Sequence, residues 1–227
     1  MTAAAPLTAE VGERSRVLLR DLAETYAARR PVRTVAVLGN APLEPSPERV
    51  EAVEAADLVV RVNGFAVDEP GAAPTYGRSA HVIVFNRALR ATPAFFEGYR
   101  NRLYLMVEPA RPFFEREEVP SWWPADLGQV HLNNDSVVLP LSDALGLDMM
   151  RDGLWATTGT VAAWWARTHF PDTRLLIGGY SFLDDDTQTA WQHAAGAPCI
   201  VGQEHRIAAE AALMRGWLHD GVAELLP

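Results

Sequence analysis

Residues 34–65 read TVAVLGNAPLEPSPERVEAVEAADLVVRVNGF. Two short apolar runs, Thr34 to Leu38 and Leu58 to Val62, have the continuous Val/Leu character of parallel strands buried on both faces. Between them Ser46-Pro47-Glu48 supplies a helix N-cap, a proline at the first helical position and an acid in the first turn. This is a strand–helix–strand unit. Both strands run into asparagine, the first through Gly39-Asn40 and the second directly into Asn63. A dinucleotide fold would place G-x-G-x-x-G after the first strand and a carboxylate at the tip of the second. Neither is present, so the ligand expected at these tips is not the ribose diol of a dinucleotide.

The same grammar continues outward. Apolar runs at 81–85, 103–107 and 174–178 read as further parallel strands, and Thr92-Pro93 repeats the N-cap device before a shorter helix. Leu7, Val11, Leu18, Leu22 and Tyr26 fall at near-helical spacing, which predicts an amphipathic helix over 7–29, within an N-terminal segment 1–30. Alternating strands and helices in 227 residues predict one α/β domain with a mainly parallel central sheet flanked by helices. Residues 108–155 hold Pro109, Pro112, Pro120 and Pro124 around Ser121-Trp122-Trp123, and read as a long irregular connection, a lid or substrate region.

Composition excludes several classes. With 48% hydrophobic residues the chain can bury a proper core. The net charge is −9, all 20 basic residues are Arg, and no basic face for nucleic acid is evident. An anionic small ligand therefore needs local positive sites, because the overall field repels it. The single Cys199 rules out an internal disulfide and fits a reducing compartment. Glu10, Glu13 and Arg14 stand where a signal peptide would be apolar, and no apolar run approaches the roughly 18 residues a membrane span needs. The expectation is a soluble, cytoplasmic protein; oligomeric state is not readable.

Two further stretches bear on chemistry. Ala156 to Phe182, ATTGTVAAWWARTHFPDTRLLIGGYSF, opens a helix with Thr157-Thr158-Gly159 and ends a strand on Gly178-Gly179-Tyr180. Hydroxyls and unpaired N–H groups at a helix start suit an anion, and equally make an ordinary cap. Val201 to Leu225 holds a helix, by Ala211, Leu213, Met214 and Leu218, that stops at Gly221, with His205 in its first turn, where the positive helix end favours a neutral ring fit to act as a base. Glu210 follows five residues later, about 140° round the helix, so the two are not an obvious same-face pair. Asp184-Asp185-Asp186 has the look of a divalent-cation cluster, but an acidic first turn of a following helix explains it more cheaply. Trp122-Trp123 suits stacking on a base or sugar and core packing equally well.

Taken together, the three stretches resemble the sialyltransferase family, metal-independent transferases that use CMP-activated sialic acids. Leu38-Gly39-Asn40, Arg61-Val62-Asn63 and Tyr76-Gly77-Arg78-Ser79-Ala80 are similar to the family's large motif. Ala156-Thr157-Thr158-Gly159 with Gly178-Gly179-Tyr180-Ser181-Phe182 is similar to the small motif, and His205 to Glu210 matches the very small motif, H-x4-E. The likeness covers roughly half the chain. It departs from the family at Val35, where a cysteine is usual, and near Phe170-Pro171, where the partner cysteine is missing. His193 stands about where a further histidine motif falls.

The resemblance implies a short, soluble, bacterial-type relative with a Rossmann-like fold. It implies glycosyl transfer with inversion from a CMP-activated sugar donor to an unidentified acceptor hydroxyl, with no cofactor and no metal. His205 would be the catalytic base. The substrate-binding set would be Asn40, Asn63, Gly39, Thr157, Thr158, Gly159, Gly179, Tyr180, His193 and Glu210, with Asn40 and Asn63 donating to the phosphate. The alternatives left open are a CMP-sugar hydrolase, a pathway-specific transferase of an unusual CMP-linked sugar, and a non-catalytic nucleotide-binding protein.

Overall fold

The computed structural model describes residues 9–108, 121, 123–196 and 198–227, with side chains from Gly12 onward. The strands are β1 (Thr34–Leu38), β2 (Leu58–Val62), β3 (Val82–Phe85), β4 (Leu103–Met106), β5 (Val130–His131), β6 (Arg174–Gly178), β7 (Ala190–Trp191), β8 (Cys199–Ile200) and β9 (Glu224–Leu225). The helices are α1 (Ala9–Glu24), α2 (Pro47–Ala55), α3 (Pro93–Phe96), α4 (Leu139–Ala144), α5 (Met149–Asp152), α6 (Thr158–His169) and α7 (Ile207–His219). Seven strands form one sheet in the order β5-β4-β3-β2-β1-β6-β9, and every pairing in it is parallel. This is the expected α/β architecture. The chain winds away from β1 through β2, β3 and β4, then returns to its other side at β6. Such a reversal opens a crevice at the carboxyl ends of the two strands.

The side chains alternate across the sheet. Val35, Val37, Leu58, Val60, Val82 and Val84 face the larger core, which α6 closes with Val161, Ala162 and Trp165. The opposite face splits in two. Ala36, Leu38 and Val59 pack on Val53 of α2, while Ile83, Phe85, Tyr104 and Met106 meet Phe95 and Trp123. Trp123 stacks on Phe85 with centroids 5.0 Å apart and is 7% exposed, so it is a core residue rather than a ligand platform. Trp122 lies outside the described residues.

Several expectations need correction. The N-terminal helix ends at Glu24, five residues early, because Thr25 turns its hydroxyl back onto the Leu22 carbonyl at 2.6 Å and the chain leaves in a turn. Leu7 and residues 109–120 lie outside the described residues. Within the stretch expected to be irregular, residues 130–152 hold β5, a π-helical turn at Asn134–Val138, α4 and α5. No helix follows the three aspartates; the chain passes through turns into β7, paired antiparallel with β8. Among the described residues no helix is long and apolar enough to cross a membrane.

Candidate functional site

A cavity of about 580 Å³ opens at the carboxyl ends of β1, β2, β3 and β6, in the crevice where the strand order reverses. Its floor is set by two glycines. A Cβ on Gly39 would collide with the Gly179 carbonyl, and one on Gly179 would fall 2.8 Å from the Gly39 carbonyl. Gly179 also has φ +74°, in the region that favours glycine. The two strand tips can therefore cross in contact, and they do: the Gly39 N–H donates to Gly178 O at 2.9 Å and the Ala41 N–H to Gly179 O at 3.0 Å.

Asn40 and Asn63 stand on this floor and line the cavity. Asn63 has φ +48°, a conformation asparagine tolerates better than most residues. Its Oδ1 accepts the Asn86 N–H at 3.1 Å, which leaves the amide NH2 as the end available to a ligand. The Asn40 Oδ1 is buried with no partner among the described residues. Asn40 also holds the cavity's outer wall, since its carbonyl accepts the Ala194 N–H at 2.8 Å from the loop between β7 and β8.

The third wall is the start of α6. Thr157 is its N-cap, its hydroxyl accepting from the Thr160 N–H. Thr158, Gly159 and Tyr180 line the cavity with it. Tyr180 donates its hydroxyl to the Gly159 carbonyl at 3.1 Å, and burial pushes its phenol well above the usual range. The first-turn N–H groups of a helix lack intrahelical partners, so this wall is suited to an anion.

His205 faces the cavity from just before α7. It does not lie in the first turn of that helix, which begins at Ile207 with Arg206 as the preceding residue. A hydrogen bond rather than the helix end prepares the ring. Nδ1 lies 3.0 Å from the Trp155 carbonyl, which can only accept, so Nδ1 carries the hydrogen and Nε2 of the neutral ring keeps its lone pair. Trp191 stands between the two histidines, with centroids 6.5 Å from His193 and 6.3 Å from His205. Burial holds the His193 imidazole below its ordinary range, which favours its neutral form.

Of the expected set only Glu210 lies outside the lining. It is fully buried behind the wall, where it accepts from the Thr157 N–H at 3.1 Å, the Thr157 hydroxyl at 2.7 Å and the Thr160 hydroxyl at 2.5 Å. Burial raises its pKa despite these donors. Its place is structural: it ties α7 to the cap of α6. Two of the three aspartates are likewise engaged elsewhere. Asp186 pairs with Arg215 at 2.6 Å and Asp185 accepts from Thr187, and among the described residues no group of three metal-ligating side chains is found.

Asn86 was missed. It ends β3 as Asn40 and Asn63 end β1 and β2, and donates to the Thr158 hydroxyl at 2.8 Å, linking the strand tips to α6. The signal was present in Val82-Ile83-Val84-Phe85-Asn86, a third apolar run ending on asparagine.

No family model and no curated protein matches the chain. Among solved structures, a mammalian sialyltransferase superposes with a TM-score of 0.57 at 13% identity, covering 97% of this chain and 79% of that one. A mammalian sialyltransferase in complex with Gal-beta-1-3GalNAc-ortho-nitrophenol superposes with a TM-score of 0.55, at the same identity and coverage. This chain has a sialyltransferase-like fold.

Proposed function

We propose that the protein is a glycosyltransferase that takes a sugar from a CMP-activated donor and passes it to an acceptor hydroxyl with inversion, without a metal. One observation carries the reading. Ten residues that the resemblance singled out, scattered over six segments of the chain, line one cavity. Its volume falls within the range typical of small-molecule sites.

In this reading Asn40, Asn63 and the start of α6 hold the phosphate with neutral donors and helix-end N–H groups. Each donor aimed at the developing charge would supply about 2–4 kcal/mol if its bond tightens in the transition state. The acceptor oxygen attacks the anomeric carbon as its proton passes to Nε2 of His205. The bond from that carbon to the phosphate oxygen breaks, its electron pair leaves with the phosphate, and CMP is released. His193 stands beside Trp191, able to assist the departing group.

A nucleotide panel in a thermal-shift assay tests this. CMP should raise the melting temperature while AMP, UDP and NAD do little; a ligand at 100 times its Kd stabilises by about 2.7 kcal/mol. A larger shift with UDP or NAD would refute the reading. With a CMP-sugar, a new glycoside distinguishes transfer from hydrolysis.

A further inference from the structure

Glu204 is the only carboxylate among the described residues that line the cavity. Its Oε1 lies 3.7 Å from Nε2 of His205, the nitrogen left with the lone pair. The side chain is 36% exposed and accepts no hydrogen bond from a described residue. Its backbone is fixed, because the Trp155 N–H donates to the Glu204 carbonyl at 3.1 Å while the Trp155 carbonyl accepts from His205. One residue therefore brackets both groups. The carboxyl folds back over Gly202, where a Cβ would strike it, so the absence of a side chain there leaves room for this placement.

An ionised carboxylate only accepts hydrogen bonds. It repels a phosphate and attracts hydroxyl hydrogens. Beside the base, then, stand two acceptor atoms 3.7 Å apart, both at the cavity surface. A lone hydroxyl satisfies one of them. Two hydroxyls on adjacent carbons satisfy both, one giving its hydrogen to Nε2 and the other to Oε1.

We infer that Glu204 is a specificity-determining residue that reads a second acceptor hydroxyl, so that the acceptor presents a vicinal diol to His205. The inference rests on the glycosyltransferase reading for the role of His205. In that reaction the second hydroxyl keeps its proton and serves only to orient the first.

The test is binding of cis-1,2-cyclohexanediol and of cyclohexanol to the CMP-loaded protein, measured by ligand-observed NMR titration. Wild type should bind the diol tighter, on the order of tenfold or more, as expected for a hydrogen bond to a charged group. Glu204→Ala should bring the diol down to the level of the alcohol and leave the alcohol unchanged. Glu204→Gln, which keeps an acceptor oxygen, should retain part of the preference. Variants must melt near wild type; if Glu204→Ala does not, Glu204→Gln and the wild-type preference decide. Equal binding of the two probes by wild type, or no binding of either, overturns the inference. So does a Glu204→Ala variant that weakens both equally, since the carboxylate would then act through His205. CMP binding, measured separately on the same samples, reports whether the donor half of the reading stands.

Discussion

Two regions on β2 are both crowded with polar groups and use them in opposite ways. The crossover from β2 to β3, residues 63–81, contains no helix, so its backbone must find partners elsewhere. It finds them in three charged side chains. Asp68 accepts from the N–H groups of Thr75, Tyr76 and Gly77 at 2.8–3.1 Å. Glu54 takes those of Arg78 and Ser79, and the fully buried Arg61 donates to the carbonyls of Ser79 and Tyr76 at 3.0 and 2.8 Å. Burial pushes the Arg61 guanidinium down to about 10, with Glu54 and Asp68 opposing the fall, so it stays charged at neutral pH. At the strand tips several polar groups are instead left over: the Asn40 Oδ1, the Glu204 carboxylate and the N–H groups of Thr158 and Gly159 at the start of α6. In these two regions the saturated groups hold the fold, and the incompletely paired ones face the cavity.

The largest expected effect breaks the cavity side alone. His205→Ala should lower turnover by on the order of 10²–10⁴-fold, the usual contribution of a general base. CMP affinity should stay near wild type, because the proposed contact is with the acceptor hydroxyl, while losing the bond to the Trp155 carbonyl should cost only about 0.5–1.5 kcal/mol of stability. A well-folded variant with full turnover would move the base elsewhere, and His193 would be examined next by the same substitution.

Arg61→Ala should do the reverse. It strands two part-buried carbonyls and two carboxylates that face the lost charge, and leaves a void. Denaturant melts should register a loss on the order of 3–5 kcal/mol, the range for removing one member of a buried charged network. At temperatures where the variant is folded it should still bind CMP, since Arg61 is not in the lining. A variant as stable as wild type would show that the crossover does not depend on its guanidinium.

Smaller effects are expected of Asn40→Ala and Asn63→Ala, each weakening CMP binding by roughly 1–3 kcal/mol, as for donors facing a charged group. The two differ in their second duty. Asn63 also supports Asn86 through its Oδ1, so its loss should cost more stability than that of Asn40, whose other bond runs through the backbone. Equal melting temperatures with unequal affinities would separate ligand contact from scaffolding.

The sequence carried the sheet well because buried parallel strands are continuous apolar runs, and β1, β2, β3, β4 and β6 each have one. Strands of two residues, such as β5, β7 and β9, have no periodicity to read. The cavity residues at strand tips and helix starts were legible because turn glycines, asparagines and caps mark where elements end. The first-turn placement of His205 fails by two residues, since Arg206 and Ile207 carry no capping signal to mark where α7 begins, and the Trp155 carbonyl that orients the ring is fifty residues away. The role of Glu210 was hidden for the same reason: its partners Thr157 and Thr160 belong to α6. Tyr76–Ala80 belongs to the family-like pattern yet lies in the crossover rather than in the cavity, a division that only tertiary partners reveal.

The smallest expected effect concerns Asp185 and Asp186, paired groups that by the same comparison should be scaffolding. Asp186 is paired with Arg215 of α7, whose guanidinium also donates to the Leu183 carbonyl at 2.8 Å. Asp185 closes its own turn by accepting from the Thr187 N–H and hydroxyl, which holds its carboxyl below the usual range. An Asp186→Ala change leaves Arg215 its carbonyl partners and removes a partly exposed ion pair. Such pairs contribute about 0–1 kcal/mol, and the loss should shrink further at high salt. Activity should be unchanged in the variant, and in wild type it should survive excess EDTA. Abolition by EDTA with recovery on adding Mg2+ or Mn2+, together with loss of that recovery in Asp186→Ala, would assign the cluster to catalysis. It would also break the rule drawn from the two regions, because side chains already paired within the fold would then have to exchange those partners for a cation.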